Sequence, residues 1–148
     1  MPKPGESSKS LTEKEMEYLK TVFKLISGRE IVGSLEVAEA MGVSCATASE
    51  YLERLGRKGM LKRYRWKGVC ISEKGLEEVN RIIRNHRVFE TYAYRFLSLS
   101  LEDACKCASR VELYLSDKIV DSMCSLLGHP KNCPHNNSIP GGKSCCRV

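Results

Sequence analysis

The chain has 148 residues, 42% of them hydrophobic and 28% charged, with a net charge of +6. That balance belongs to a globular protein and excludes a disordered, fibrous or low-complexity chain, and no internal repeat points to a solenoid. No apolar run reaches membrane-spanning length and the first residues carry no apolar signal region, so the chain is expected to stay in the cytoplasm, without a membrane partner. In that setting its eight cysteines read as reduced thiols, metal ligands or redox sensors rather than a disulfide framework.

Residues 1–10, rich in Pro, Gly, Ser and Lys, read as a mobile arm. From Leu11 the apolar positions Met16, Leu19, Val22, Phe23 and Ile26 recur at spacings of three and four, the pattern of an amphipathic helix ending near Gly28. Thr12 with Glu15 three residues later forms a capping box. Ser34 is the expected N-cap of a second helix closed by Gly42, and Ser44 that of a third, running to about Lys58 and stopped by Gly59. Two short helices joined at a glycine, with small Ala38 at their crossing, form a helix-turn-helix. Residues 60–65 and 69–72 then read as two short strands around Trp66-Lys67-Gly68, a wing. Residues 11–74 are thus predicted to be a winged-helix DNA-binding domain.

A long helix follows from Glu73 to about Phe96, broken at Ser98-Leu99-Ser100. Leu101 to about Cys107 reads as a short helical piece and Ala108 to Leu127 as a further amphipathic helix. These helices are too apolar to pack on one small wing domain alone, so residues 75–128 are expected to dimerise. Residues 129–148, without periodicity, read as a loop-rich tail carrying cysteine and histidine. The predicted fold is therefore mainly α: an N-terminal winged helix-turn-helix with a two-stranded wing, then a helical dimerisation domain.

Double-stranded DNA is the expected partner. Between Thr47 and Lys67 seven basic residues face only Glu50 and Glu53, a stripe suited to a polyanion. Ser44, Thr47, Ser49 and Glu50 lie on the leading half of the recognition helix, where they can reach phosphates or base edges. Glu50 reads either as an acceptor for cytosine or as an ion-paired carboxylate. Arg54 and Arg57, with Lys62, Arg63, Arg65 and Lys67 on the wing, read as phosphate or minor-groove contacts.

A second chemistry lies on the helices. His86 and Glu90 stand at i and i+4, and Cys105, Ser109 and Glu112 at i, i+4 and i+7, so each group shares a helix face. Glu17 on the first helix could close the set. An imidazole, carboxylates and a thiolate suit iron(II), manganese(II) or zinc(II). Cys107, two residues from Cys105, either packs as a small hydrophobe or joins the site through an irregular helix. Cys133 and His135, followed by Cys145 and Cys146, form a second metal or iron-sulfur site or an incidental set of tail thiols. No phosphate-cradling loop, nucleophile elbow or paired-carboxylate cleft is recognisable, so an enzyme is not expected.

Several segments together, from Leu11 to about Gly142, resemble the diphtheria toxin repressor family of metal-dependent regulators, and most of all its short manganese-transport members without a C-terminal β-barrel. These are Glu17-Tyr18-Leu19-Lys20-Thr21-Val22-Phe23, Thr47-Ala48-Ser49 ahead of Arg54-Leu55, Arg84-Asn85-His86-Arg87 with Glu90, Glu112 to Ser116, and Gly128-His129-Pro130 through Ile139-Pro140. The resemblance implies a homodimeric repressor on a palindromic operator, activated by iron(II) or manganese(II), with Glu17, His86, Glu90, Cys105 and Glu112 at ligand positions. It also implies departures. Ser109 stands where the family has a cysteine or glutamate, Leu113 where it has a histidine, and Cys105 where the iron-sensing branch has a histidine. The resulting site is softer than the family's. Two alternatives stay open: a winged-helix regulator sensing redox state or a zinc or iron-sulfur site through its cysteines, and a metal-binding protein without DNA function.

Overall fold

The computed structural model describes residues 10–147; the expected arm at residues 1–10 lies, except for Ser10, outside them. Among the described residues, six helices and one antiparallel hairpin follow one another. The chain divides into two compact units, the first ending at Val79 and the second beginning at Asn80.

In the first unit α1 spans Glu13–Leu25, α2 Ser34–Met41 and α3 Cys45–Arg57. The caps explain the boundaries. Thr12 Oγ1 accepts the Glu15 amide at 3.2 Å while Glu15 Oε2 accepts the Thr12 amide at 2.8 Å, the reciprocal box expected for helix α1. At α2 the N-cap is Gly33 rather than the expected Ser34, because Glu36 reaches back to the Gly33 amide at 2.8 Å and fixes the start one residue earlier. Gly42 takes the left-handed conformation at φ +66° and turns the chain into α3, whose N-cap Ser44 accepts the Thr47 amide at 3.1 Å. Ala38 and Ala48 are buried with Val37, Leu52 and Leu55, so the two helices approach through small side chains and close over a leucine core.

The wing pairs β1 (Leu61–Tyr64) with β2 (Gly68–Ile71) in the register Leu61 to Ile71 and Tyr64 to Gly68. Val32 bridges to Val69, with both backbone bonds at 2.9 Å, and anchors the wing's inner edge.

Glu15 also ties α1 to the end of α3. Its carboxylate accepts Lys58 Nζ at 2.7 Å, and Lys58 Nζ reaches the Ser10 carbonyl at 2.9 Å. Burial alone would raise the Glu15 carboxyl; the bonds from Lys58 and Thr12 more than offset it and hold it below its ordinary value. A lowered native carboxyl contributes stability that is complete above the ordinary carboxylate range and lost as pH falls through the native value. Glu15→Gln is therefore expected to lower stability by about 1–3 kcal/mol at neutral pH, with the gap to wild type closing in acid. Urea denaturation at several pH values measures it, and a pH-independent gap would remove the charge from the explanation.

Helix α4 (Glu73–Phe96) runs from one unit into the other. Ser72 opens it, donating to the Gly59 carbonyl at 2.6 Å and accepting the Gly75 amide at 3.0 Å. The second unit continues with α5 (Leu101–Val111) and α6 (Asp117–Leu126). Here the expectation of a short piece to Cys107 and one helix from Ala108 to Leu127 is corrected. The first helix continues to Val111, and the break falls at residues 112–116. Its cause is the buried Asn85 of α4, whose Nδ2 donates to the carbonyls of Glu112 at 2.9 Å and Leu115 at 3.1 Å. Those are the acceptors a continuing helix would offer to residues 116 and 119. Ser116, extended at ψ 150°, caps the new helix instead.

The tail is irregular but folded. Cys133 and Cys145 are buried, and Cys145 packs in a core with Val88, Val120, Met123, Cys124 and Leu127. Arg84 holds the tail by donating to the Pro140 carbonyl at 3.1 Å while pairing with Asp121 at 3.0 Å. Arg87 donates to the Ser138 carbonyl. Among the described residues no helix is long and apolar enough to cross a membrane.

Candidate functional site

In the second unit α4 presents His86 and Glu90 one turn apart, and α5 presents Cys105 and, at its C-cap, Glu112. The His86 ring joins them: Nδ1 lies 2.7 Å from Glu112 Oε2 and Nε2 lies 3.6 Å from Cys105 Sγ. His86, Glu90 and Cys105 bring their donor atoms within 4.8 Å of one another, and so, on the tail side, do Glu90, Cys133 and His135. Glu90 is therefore common to two groups of donors. It is 1% exposed, and its Oε1 makes an ion-pair contact with His135 Nδ1 yet has no partner in hydrogen-bonding geometry. A buried carboxylate oxygen without a hydrogen bond is costly unless a cation meets it.

The other predicted residues fall differently. Ser109 is exposed and its hydroxyl donates to the Cys105 carbonyl of its own helix at 3.1 Å. Helix α5 is regular through Cys107, which is partly buried and joins neither donor group. Glu17 belongs to the first unit, where its exposed carboxylate accepts Lys14 Nζ at 2.6 Å.

On the first unit, Ser44 and Glu50 of α3 are exposed and Thr47 and Ser49 partly so. Arg54 pairs with Glu50 at 2.5 Å and Arg57 with Glu53 at 2.6 Å, all four exposed, so Glu50 is an ion-paired carboxylate. Lys62, Arg63, Arg65 and Lys67 are all exposed on the wing. At its tip Trp66 is 93% exposed, with the Arg65 guanidinium 5.7 Å from the ring centre. Trp66 is an exposed aromatic among the wing's cations that charge counting alone passes over; its sequence signal was an aromatic inside a basic turn.

Comparison with known proteins agrees with this division. Residues 10–69 match the family described as "Iron dependent repressor, N-terminal DNA binding domain", and residues 72–141 match "Iron dependent repressor, metal binding and dimerisation domain". The chain belongs to the iron-dependent repressor family. Among relatives of this repressor, the iron-dependent repressor IdeR of Mycobacterium tuberculosis is 27% identical over 124 residues, covering 84% of this chain and 54% of IdeR. The chain thus spans about half the length of that relative. The crystal structure of the hypothetical protein SSo2273 from Sulfolobus solfataricus superposes with a TM-score of 0.79 at 26% identity, covering 88% of this chain and 99% of that one. ScaR with bound Zn2+ superposes with a TM-score of 0.75 at 28% identity, covering 90% of this chain and 62% of that one. The repressor is accordingly a metal-dependent transcriptional regulator with a winged helix-turn-helix.

Sequence reasoning missed the residues that hold this repressor's donors in place. Asn85 looks like an ordinary polar position beside His86, but through the carbonyls of Glu112 and Leu115 it fixes the backbone that carries the Glu112 carboxylate. Asn85→Ala leaves the buried Glu112 carbonyl and the partly buried Leu115 carbonyl without their donor and is expected to cost about 1–3 kcal/mol. It should also weaken metal binding by roughly tenfold, as losses of supporting partners commonly do. Thermal denaturation and a metal titration check the two effects. Unchanged metal affinity in a destabilised variant would make Asn85 a packing residue only.

Proposed function

We propose that the chain represses transcription as a homodimer on a palindromic operator. Its signal is a divalent ion of the iron(II) or manganese(II) class, held by His86, Glu90, Cys105 and Glu112, with Cys133 and His135 on the tail side of Glu90. The observation that carries this reading is the buried Glu90 carboxylate, common to two donor groups and in contact with His135 from the tail side. The donor chemistry fits a borderline transition metal: imidazole nitrogen, carboxylate oxygen and thiolate sulfur. The thiolates move the preference toward iron(II) and zinc(II) and away from manganese(II), and ScaR, a relative in fold, carries Zn2+ in its structure. Cys133 and His135 make up for the family ligands absent at Ser109 and Leu113.

When bound, the ion supplies positive charge to a buried carboxylate and favours whichever arrangement of the chain holds the donors together. The residues do the rest. His86 links α4 to α5, Glu112 receives its ring nitrogen, and Asn85 keeps Glu112 in place. The second unit also exposes Tyr94, Phe96, Leu97, Tyr114, Ile119 and Leu126, an apolar surface that supports a dimer. On the first unit, the serine and threonine end of α3 faces bases, and Arg63, Arg65 and Lys67 contact phosphates.

The test uses anaerobically purified full chain and a duplex selected from a random pool, titrated with iron(II), manganese(II), zinc(II) or chelator. The expected result is salt-dependent binding that tightens at least about tenfold with one of these ions. Binding indifferent to every ion but sensitive to oxidant would move the sensor to the cysteines. No salt-dependent binding would overturn the DNA-binding role.

A further inference from the structure

Outside the site above, a further group of four donors comes together. Cys124, in the last turn of α6, His129 just beyond it, and Cys145 and Cys146 near the end of the chain converge on one point. His129 Nδ1 lies 3.2 Å from Cys146 Sγ, 3.4 Å from Cys145 Sγ and 3.6 Å from Cys124 Sγ. Cys146 Sγ lies 3.7 Å from Cys145 Sγ and 3.8 Å from Cys124 Sγ. With metal–sulfur bonds of about 2.3 Å and metal–nitrogen bonds of about 2.05 Å, a tetrahedral ion sets sulfur–sulfur edges of about 3.8 Å and sulfur–nitrogen edges of about 3.6 Å. The observed edges match this arrangement. They are far longer than the S–S bond of a disulfide, about 2.05 Å, and they enclose room for one ion, not for an iron-sulfur cluster.

The backbone is built to hold this geometry. Helix α6 ends in a Schellman motif: the Gly128 amide bonds the Ser125 carbonyl at 3.0 Å and the His129 amide bonds the Cys124 carbonyl at 2.9 Å. That reversal lays His129 over Cys124. His129 takes φ +56° and Cys146 φ +53°, left-handed conformations that non-glycine residues adopt only where the surroundings hold them. Gly142 is the residue the close approach requires. Its amide bonds the Cys145 carbonyl at 2.8 Å, and a Cβ there would stand 2.8 Å from Arg84 Nε. The buried Arg84, donating to the Pro140 carbonyl at 3.1 Å and pairing with Asp121 of α6 at 3.0 Å, holds the segment that leads to Cys145 against α6. Cys124 and Cys145 are buried while His129 and Cys146 reach the surface, so the point where the four converge is open to solvent on one side.

We propose that Cys124, His129, Cys145 and Cys146 form a second, structural metal site of three cysteines and one histidine, for a single tetrahedral zinc(II). Its role is to clamp the C-terminal segment onto α6. The three thiols give their protons to solvent as the ion binds. The segment so clamped is the one that carries Cys133 and His135 to Glu90, and that consequence alone rests on the sensor reading above; the zinc site itself does not.

The experiment uses full-length chain purified under reducing conditions and treated with a mild chelator, with metal content measured by elemental analysis. One zinc per chain is expected to survive. Replaced by cobalt(II), it should give the strong visible bands of a tetrahedral ion with sulfur-to-cobalt charge transfer. Cys146→Ser, at an exposed position, should lose those bands and weaken zinc binding by about a hundredfold or more. Cys45→Ser, in the first unit and outside every group of donors, should retain both. If Cys146→Ser fails to fold, wild type stripped under denaturing conditions and refolded with or without zinc serves instead, and zinc should protect residues 139–147 from carboxypeptidase. A wild type without retained zinc or cobalt charge transfer overturns the proposal. So does a Cys146→Ser protein with unchanged affinity, or a disulfide between any two of the three cysteines in the reduced protein.

Discussion

His86→Ala is expected to leave the affinity for DNA without metal where it is and to raise the metal concentration needed for half-maximal DNA binding by about a hundredfold. The size follows from what the ring touches. One nitrogen meets Glu112 at 2.7 Å and the other Cys105 at 3.6 Å. Removing the ring therefore takes away one donor and the constraint on two more. The selectivity follows from where the residue sits. It lies inside α4, where alanine is the best helix former, and the ring is only partly buried, so the helix persists. A hundredfold loss corresponds to about 2.7 kcal/mol. A metal can shift the DNA-binding equilibrium only by its difference in affinity for the competing arrangements, so a loss of this size removes most of a typical allosteric coupling. Anisotropy titrations of labelled duplex with chelator and with graded metal read both quantities. Equal losses in the two conditions would make His86 a structural residue and leave the sensor without its central ligand.

What the sequence made legible, and what it did not, divides along the distance over which each feature is determined. The wing unit is written in local signals: Thr12 with Glu15, Ser44 with Thr47, and the left-handed glycines at 42 and 59 each act within a few residues, and each stands where expected. His86 and Glu90 share a face because helical spacing requires it. The break between α5 and α6 was misplaced because its cause, Asn85, lies 27 residues before Glu112 and 30 before Leu115. Apolar positions at Val111, Leu115 and Ile119 continue a helical period across the break, so periodicity misleads there. Ser116 followed by Asp117 was the one local sign of a new N-terminus. The tail was hidden for the same reason: its fold depends on Arg84 and Arg87, more than fifty residues away. Cysteine spacing could not reveal that Cys133 and His135 face Glu90 while Cys145 and Cys146 turn to Cys124.

Gly68→Ala should produce the complementary defect: loss of DNA binding with or without metal, while the metal content of the chain is unchanged. Gly68 opens β2 at φ +122°, a conformation that side-chain-bearing residues rarely adopt. An added Cβ would stand 2.2 Å from the Val32 carbonyl oxygen and 2.8 Å from its carbon. These are backbone atoms, and they are held in place because Val32 exchanges two hydrogen bonds of 2.9 Å with Val69. The strand can relieve the collision only by leaving Val32, which breaks that bridge and releases the turn that carries Arg65, Trp66 and Lys67. Strain at such a φ costs about 1–3 kcal/mol, and the two broken backbone bonds add about 0.5–1.5 kcal/mol each. The sum is a large fraction of the stability of a small domain. Hydrogen exchange at residues 61–71 should rise while the amides of α5 and α6 keep their protection, and a cobalt(II) titration should match wild type. Retained DNA affinity in this variant would mean that the wing is dispensable, and the contact surface would then contract to the N-terminal half of α3.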